Sequence, residues 1–102
     1  MAFEIPVYRF KPEVPFEEAK AMVLRLNEFL ADAPGFRSRK TCYDPKANTW
    51  IDFVEWETME HALAGFNDFS KTDLCQQFVA IADPAFNLMH HAEVVQEFYA
   101  SR

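Results

Sequence analysis

The chain has 102 residues, half of them hydrophobic and 16% aromatic, with two glycines against six prolines. That length and apolar share suit one core-forming domain over residues 1–102, and they exclude a multidomain enzyme, a collagen-like repeat and a disordered segment. Sixteen acidic against ten basic side chains leave a formal net charge of -6, a field that repels polyanions, so nucleic acid is not an expected partner.

Arg37, Arg39 and Lys40 form the nearest thing to a basic cluster. It is too narrow to track a phosphate backbone and reads as a solvated strand face or an interface rim. No window approaches the roughly 18 apolar residues that a membrane span requires, and Met1 to Pro6 has no basic stretch leading into an apolar one. A cytoplasmic protein with no membrane partner is therefore expected. Cys42 and Cys75 lie far apart, outside any CxxC or Cys/His ligand spacing, and read as small core or interface residues; no metal site is expected.

Phe3 to Phe10 alternates Phe3, Ile5 and Val7 with Glu4, Pro6 and Tyr8, the period of a half-buried strand. Pro6 cannot donate a ladder hydrogen bond, so either its nitrogen faces a gap in pairing or the strand begins after it. From Pro15 the period changes. Phe16, Ala19, Met22, Val23, Leu26, Phe29 and Leu30 fall along one helical face, with Pro15 at the first helical position and Glu17 and Glu18 at the positive end of the dipole. Pro34 and Gly35 then stop the helix near Asp32 and let the chain reverse.

Phe36 to Tyr43 alternates without a clean apolar face, as an edge or interface strand does. Asp44 to Asn48 supplies turn chemistry into a second strand, Thr49 to Trp56, expected to be central. Thr58 can cap a helix carrying Met59, Ala62, Leu63, Phe66 and Phe69. Ser70 or Thr72 can cap a short further helix through Leu74, Phe78 and Ile81, ending at Asp83-Pro84. About Phe86 to Phe98 reads as a long last strand. The order strand, helix, strand, strand, helix, strand predicts an α+β, ferredoxin-like βαββαβ fold: an antiparallel sheet with its helices on one face. The other sheet face, with its own apolar residues, needs a cover, and a second copy of the chain is the economical one.

Pro34-Gly35-Phe36, the hairpin into Trp50-Ile51-Asp52-Phe53-Val54-Glu55-Trp56 and the helix opening Thr58-Met59-Glu60-His61-Ala62 resemble the antibiotic biosynthesis monooxygenase-like family of the dimeric α+β barrel superfamily. The likeness spans nearly the whole chain. In that family the Pro-Gly-Phe closes the first helix, an aromatic such as Trp56 ends a strand, and a small residue such as Ala62 lies against the sheet. Membership implies a homodimer in which two sheets face each other, with a ligand cleft between the sheet and helices of each protomer. Cofactor-independent monooxygenases, haem-degrading enzymes and small isomerases all occur there. The haem-degrading pattern of an Asn on the first strand, a Trp in the second helix and a His farther on is departed from at each place: Pro6 or Tyr8, Gly65 or Phe66, and Gln76 to Phe78 stand there.

Among chemistry-bearing residues, His90 and His91 are strand neighbours and so point to opposite faces, which prevents them from holding one ion together. His90 could move a proton at a phenolic or enolic substrate, the base that a cofactor-free oxygenation needs, or could sit in the core or a dimer interface beside Leu88, Ala92 and Val94. His61, on the helix, reads as solvent-facing. Asp52, between Trp50 and Val54 on a central strand, must be partnered: it lines a cleft, or it pairs with an arginine such as Arg39 on the next strand. Trp56, Phe66, Phe78 and Tyr8 can wall a site for a flat organic molecule or can simply be core. No glycine-rich phosphate loop and no Ser or Cys nucleophile arrangement is present, so no nucleotide or other cofactor is expected.

The leading expectation is a homodimer that binds a small aromatic or apolar organic molecule, acting as a cofactor-independent monooxygenase. Its candidate catalytic residues are His90, Asp52 and Tyr8, with Trp56, Phe66 and Phe78 against the substrate. The alternative is a non-catalytic ligand-binding or assembly module. An isomerase or lyase on the same scaffold would turn over without consuming oxygen.

Overall fold

A computed structural model describes residues 1–101. Seven elements follow one another: β1 (Ala2–Phe10), α1 (Phe16–Leu30), β2 (Phe36–Asp44), β3 (Thr49–Trp56), α2 (Met59–Phe69), α3 (Asp73–Ile81) and β4 (Ala82–Glu93). The strands form one antiparallel sheet in the order β2-β3-β1-β4. The fold is the expected ferredoxin-like α+β arrangement, with α3 added before the last strand. As the patterns of polarity imply, β2 is an edge and β3 is interior.

Local chemistry accounts for the boundaries. Pro15, expected at the first helical position, stands instead at the N-cap of α1, which begins one residue later at Phe16 and is closed at Leu30 ahead of Pro34. Thr58 and Thr72 cap α2 and α3, each side-chain oxygen accepting from the backbone N–H three residues on, at His61 and Cys75. In the β2–β3 turn Asp44 accepts from the backbone N–H of Lys46 and Ala47, and Asn48 takes a φ of 49°, a conformation that asparagine tolerates better than most residues. Gly35, at φ 80°, lies against the His61 ring, where any Cβ would collide.

Pro6 does lie within an inner strand. The ladder between β1 and β3 lapses at Ile5 and Pro6 and resumes in the same register at Val7, so the missing N–H falls in a gap. The expected last strand, Phe86 to Phe98, is corrected at both ends. It begins at Ala82, which pairs with Phe10 after an irregularity near Tyr8, and it stops at Glu93 opposite Ala2, with one backbone bond beyond, from Val94 N–H to the Met1 carbonyl.

Alternation puts Glu4, Tyr8, Trp50, Asp52, Val54 and Trp56 on the face beneath the helices, all buried. The core there divides in two. Tyr8, Phe10, Ala19, Met22, Val23 and Trp50 pack at one end, and Leu30, Val54, Trp56 and Ala62 at the other. Glu4, Pro6 and Asp52 interrupt the apolar stripes of β1 and β3 where the two clusters part. No described helix is long and apolar enough to cross a membrane.

Candidate functional site

Between the two halves of the core lies a cleft of about 250 Å³, roofed by α1, α2 and α3 and floored by the sheet. Its walls are largely apolar: Leu26, Phe29 and Leu30 from α1, Phe66 and Phe69 from α2, and Phe78 from α3. Gly65 of α2 also lines it, and that glycine has a packing reason, since a Cβ there would lie 2.5 Å from Trp56 Cη2. Besides Ser70 and Asn87, two networks built on carboxylates interrupt the apolar lining.

The first is built on Asp52. Arg39 Nη2 donates to Asp52 Oδ2 at 2.7 Å, and Tyr8 Oη donates to the same oxygen at 3.0 Å. The guanidinium also donates through Nη1 to the Val23 carbonyl at 2.8 Å and to Asn27 Oδ1 at 2.9 Å, tying edge strand β2 to the middle of α1. The Arg39 and Asp52 side chains are 4% and 3% exposed, so each depends on the other for compensation of a buried charge. Asp52 Oδ1 and Arg39 Nε are buried without a partner. Burial, reinforced by the Asp52 charge, pushes the Tyr8 phenol far above its ordinary value. Tyr8 is thus a neutral donor fixed on Asp52, unsuited to accept a proton from a ligand.

The second group is built on Glu4, opposite His91 in the β1–β4 ladder. Glu4 Oε2 and His91 Nε2 are 3.1 Å apart, and the edge of the Phe66 ring meets the His91 ring at a centroid distance of 5.5 Å. Burial raises the Glu4 carboxyl, while His91 and the nearby Trp56 indole draw it back down. The indole Nε1, although close to that carboxylate, is buried without a well-formed hydrogen bond.

Of the residues the sequence singles out, Tyr8, Asp52, Trp56, Phe66 and Phe78 come together around the cleft. Asp52 fulfils both of its readings at once, since it lines the cleft and pairs with Arg39. His90 is corrected. It pairs with Ile5 on the opposite face from Glu4, Tyr8 and the cleft, and it is exposed. The inward histidine is His91, one residue on. His61 is half-buried, its Nδ1 held 2.8 Å from the Thr58 hydroxyl. Sequence reasoning missed Glu4 and His91, which become visible as a pair only once the register of β4 on β1 is known. It also read Arg39 within a solvated cluster, although only Arg37 and Lys40 of that trio are exposed.

No family model matches the chain, and no curated protein is detectably similar to it in sequence. Solved structures are similar in fold. SnoaB, a cofactor-independent oxygenase from Streptomyces nogalater, superposes with a TM-score of 0.74 at 12% identity over 94% of each chain. The monooxygenase ActVA-Orf6 of Streptomyces coelicolor, in complex with nanaomycin D, gives 0.74 at 12% identity over 98% of this chain and 92% of that one. A variant of MhuD with two manganese protoporphyrin IX molecules per active site gives 0.70 at 15% identity over 98% and 100%. At such identities the likeness establishes the fold and leaves the chemistry to the residues. Those residues do not fit haem: among the described residues no histidine lines the cleft, so its walls present no imidazole to iron. Among the described residues no cluster of His, Cys, Asp and Glu is placed to hold a metal ion.

Proposed function

We propose that this chain works as a homodimer, of the antibiotic biosynthesis monooxygenase type, whose clefts bind a small aromatic organic molecule and oxygenate it without a cofactor. The observation that carries the reading is the cleft itself: an aromatic-walled cavity on the helix-covered face, with Asp52, Arg39 and Tyr8 at one place and Glu4 at another. A flat apolar body suits those walls, and a few fixed polar groups suit a hydroxyl or carbonyl on its rim. The fold shared with SnoaB and ActVA-Orf6 supports the choice of reaction.

In this reading Trp56, Phe66 and Phe78 hold the ring system. Tyr8 and Asp52 orient it, Tyr8 as an acceptor through its oxygen, since its single O–H is donated to Asp52. A polyhydroxylated aromatic can supply all the reducing electrons itself: one oxygen atom of O2 replaces a ring hydrogen and becomes a carbonyl, and the other leaves as water. Phe66 is 43% exposed and stands where a ligand would enter.

Support for the homodimer comes from the outer sheet face. Phe3, Ile5, Val7 and Ile51 are only half-buried there, and Phe53 and Leu88 are 38% and 51% exposed. Beyond Glu93 the chain leaves the sheet with Val95, Phe98 and Tyr99 largely exposed. So much clustered apolar surface calls for a partner, and a second copy offers a face of the same kind.

The test is oxygen uptake by the purified protein with naphthol and anthrol substrates. Consumption of one O2 per quinone formed, insensitive to chelators and without added flavin or nicotinamide, is expected. Binding without uptake would favour the non-catalytic module, a reading supported by the degree to which Asp52 is already engaged by Arg39 and Tyr8. Turnover without uptake would indicate an isomerase or lyase.

A further inference from the structure

We infer that Glu4, held in place by His91, is the proton acceptor of the cleft, and that the natural ligand presents an ionisable hydroxyl, a phenol or an enol, to Glu4 rather than to Asp52. This rests on the ligand-binding reading above and adds to it the group that receives the proton and the acidity of the molecule bound.

The cleft is lined by two carboxylates, and they are not equivalent. Asp52 is neutralised by Arg39, accepts two hydrogen bonds on one oxygen and has the other sealed from water. Glu4 has no cationic arginine or lysine beside it, and its single hydrogen-bond partner is His91, on Oε2. Its other oxygen, Oε1, carries no hydrogen bond and is not among the sealed unpartnered atoms, so it is the carboxylate oxygen within reach of a ligand. A carboxylate removed from water is also a stronger base than one in solution, the direction in which burial moves Glu4.

The remaining groups divide the work. His91 faces Glu4 from β4 and Asp52 faces it from β3; α2 contributes the uncharged Phe66 edge against His91. Farther along the cleft Tyr8, Arg39 and Cys75 are the other titratable or charged groups. In the transfer, the O–H bond of the ligand breaks, its proton binds Glu4 Oε1, and the electron pair stays on the ligand oxygen as phenolate or enolate. His91 is a positioning residue: it fixes the carboxylate and keeps Oε1 turned away from itself.

The probe is para-nitrophenol, whose phenolate absorbs visible light and whose neutral form does not. At a pH below the free phenol's own pKa, the wild-type protein is expected to bind the probe in equilibrium dialysis and to develop the phenolate band. Glu4→Gln should still bind it with at least about tenfold less phenolate, the ratio that a change of one in pKa produces. His91→Gln, which can still hydrogen-bond the carboxylate, should recover more of the band than His91→Leu. Binding by the wild type without the band, or an equal band in folded Glu4→Gln, overturns the inference and leaves the ligand reading standing. Failure of the wild type to bind overturns both.

Discussion

The two faces of the one sheet, made from alternate residues of the same strands, differ in what they bury. Beneath the helices, large aromatics surround two polar networks, and three side-chain atoms, Arg39 Nε, Asp52 Oδ1 and Trp56 Nε1, are buried without a hydrogen bond. The outer face carries branched and aromatic side chains that are only half-buried, with Leu88 the most open of those on the strands. Unpaired buried polar atoms are costly and uncommon in native proteins; they cluster here around a cavity, as expected of a site that gives up stability for binding. Open apolar surface has a different remedy, burial against another surface. In the proposed reading the inner face takes a small ligand and the outer face a second copy of the chain.

The strongest way to break the inner face is to separate Arg39 from Asp52. Removing one partner of a buried ion pair costs about 3–5 kcal/mol, so Arg39→Met should lower unfolding free energy in urea by that order. Arg39→Met combined with Asp52→Leu should recover most of the loss; a double variant as unstable as the single one would show that the pair is not the source. Gly65→Ala comes next. Its methyl group must displace the Trp56 ring, and overpacking of this kind costs about 1–3 kcal/mol. Because Gly65 also lines the cleft, affinity for an aromatic ligand should fall with it in calorimetric titration.

A subtler effect belongs to Glu4. Its folded-state pKa is raised above the ordinary value of 4.5, so the folded protein binds this proton more tightly than the unfolded chain does. That contribution is fully present below 4.5 and is lost as pH rises through the folded value. Against Glu4→Gln, which does not titrate, the wild type should therefore gain stability on acidification. Parallel stability curves from neutral pH to pH 4 would contradict the burial argument. On the outer face, Phe53→Asp should dissociate the proposed dimer in sedimentation while leaving the proposed binding in the cleft of the folded protomer measurable.

Much of this architecture can be read from the chain. The shift from a period of two to a helical period at Pro15, the Thr58 and Thr72 caps and the Asp44–Asn48 turn define elements through short-range chemistry, and the structure reproduces them. Asp52 is legible for a related reason: a charge in the middle of Trp50-Ile51-Asp52-Phe53-Val54 demands a cation on a neighbouring strand, and Arg39 is within reach. What resists reading is face and register. Both faces of β1 and β4 carry apolar residues, so alternation separates His90 from His91 without saying which one points inward. The partnership of Glu4 and His91 joins opposite ends of the sequence, and only strand pairing shows it. The end of β4 at Glu93 depends likewise on where β1 begins, which Val95 and Phe98 do not reveal.

Native mass spectrometry of the freshly purified protein tests the contrast between the two faces most directly, because it reads protein assembly and retained small molecules together. Twice the chain mass is expected, with up to two copies of a small organic adduct that are lost on gentle activation before the dimer separates. A bare monomer across the working concentration range would contradict it, leaving the outer face without its partner and the cleft without its ligand.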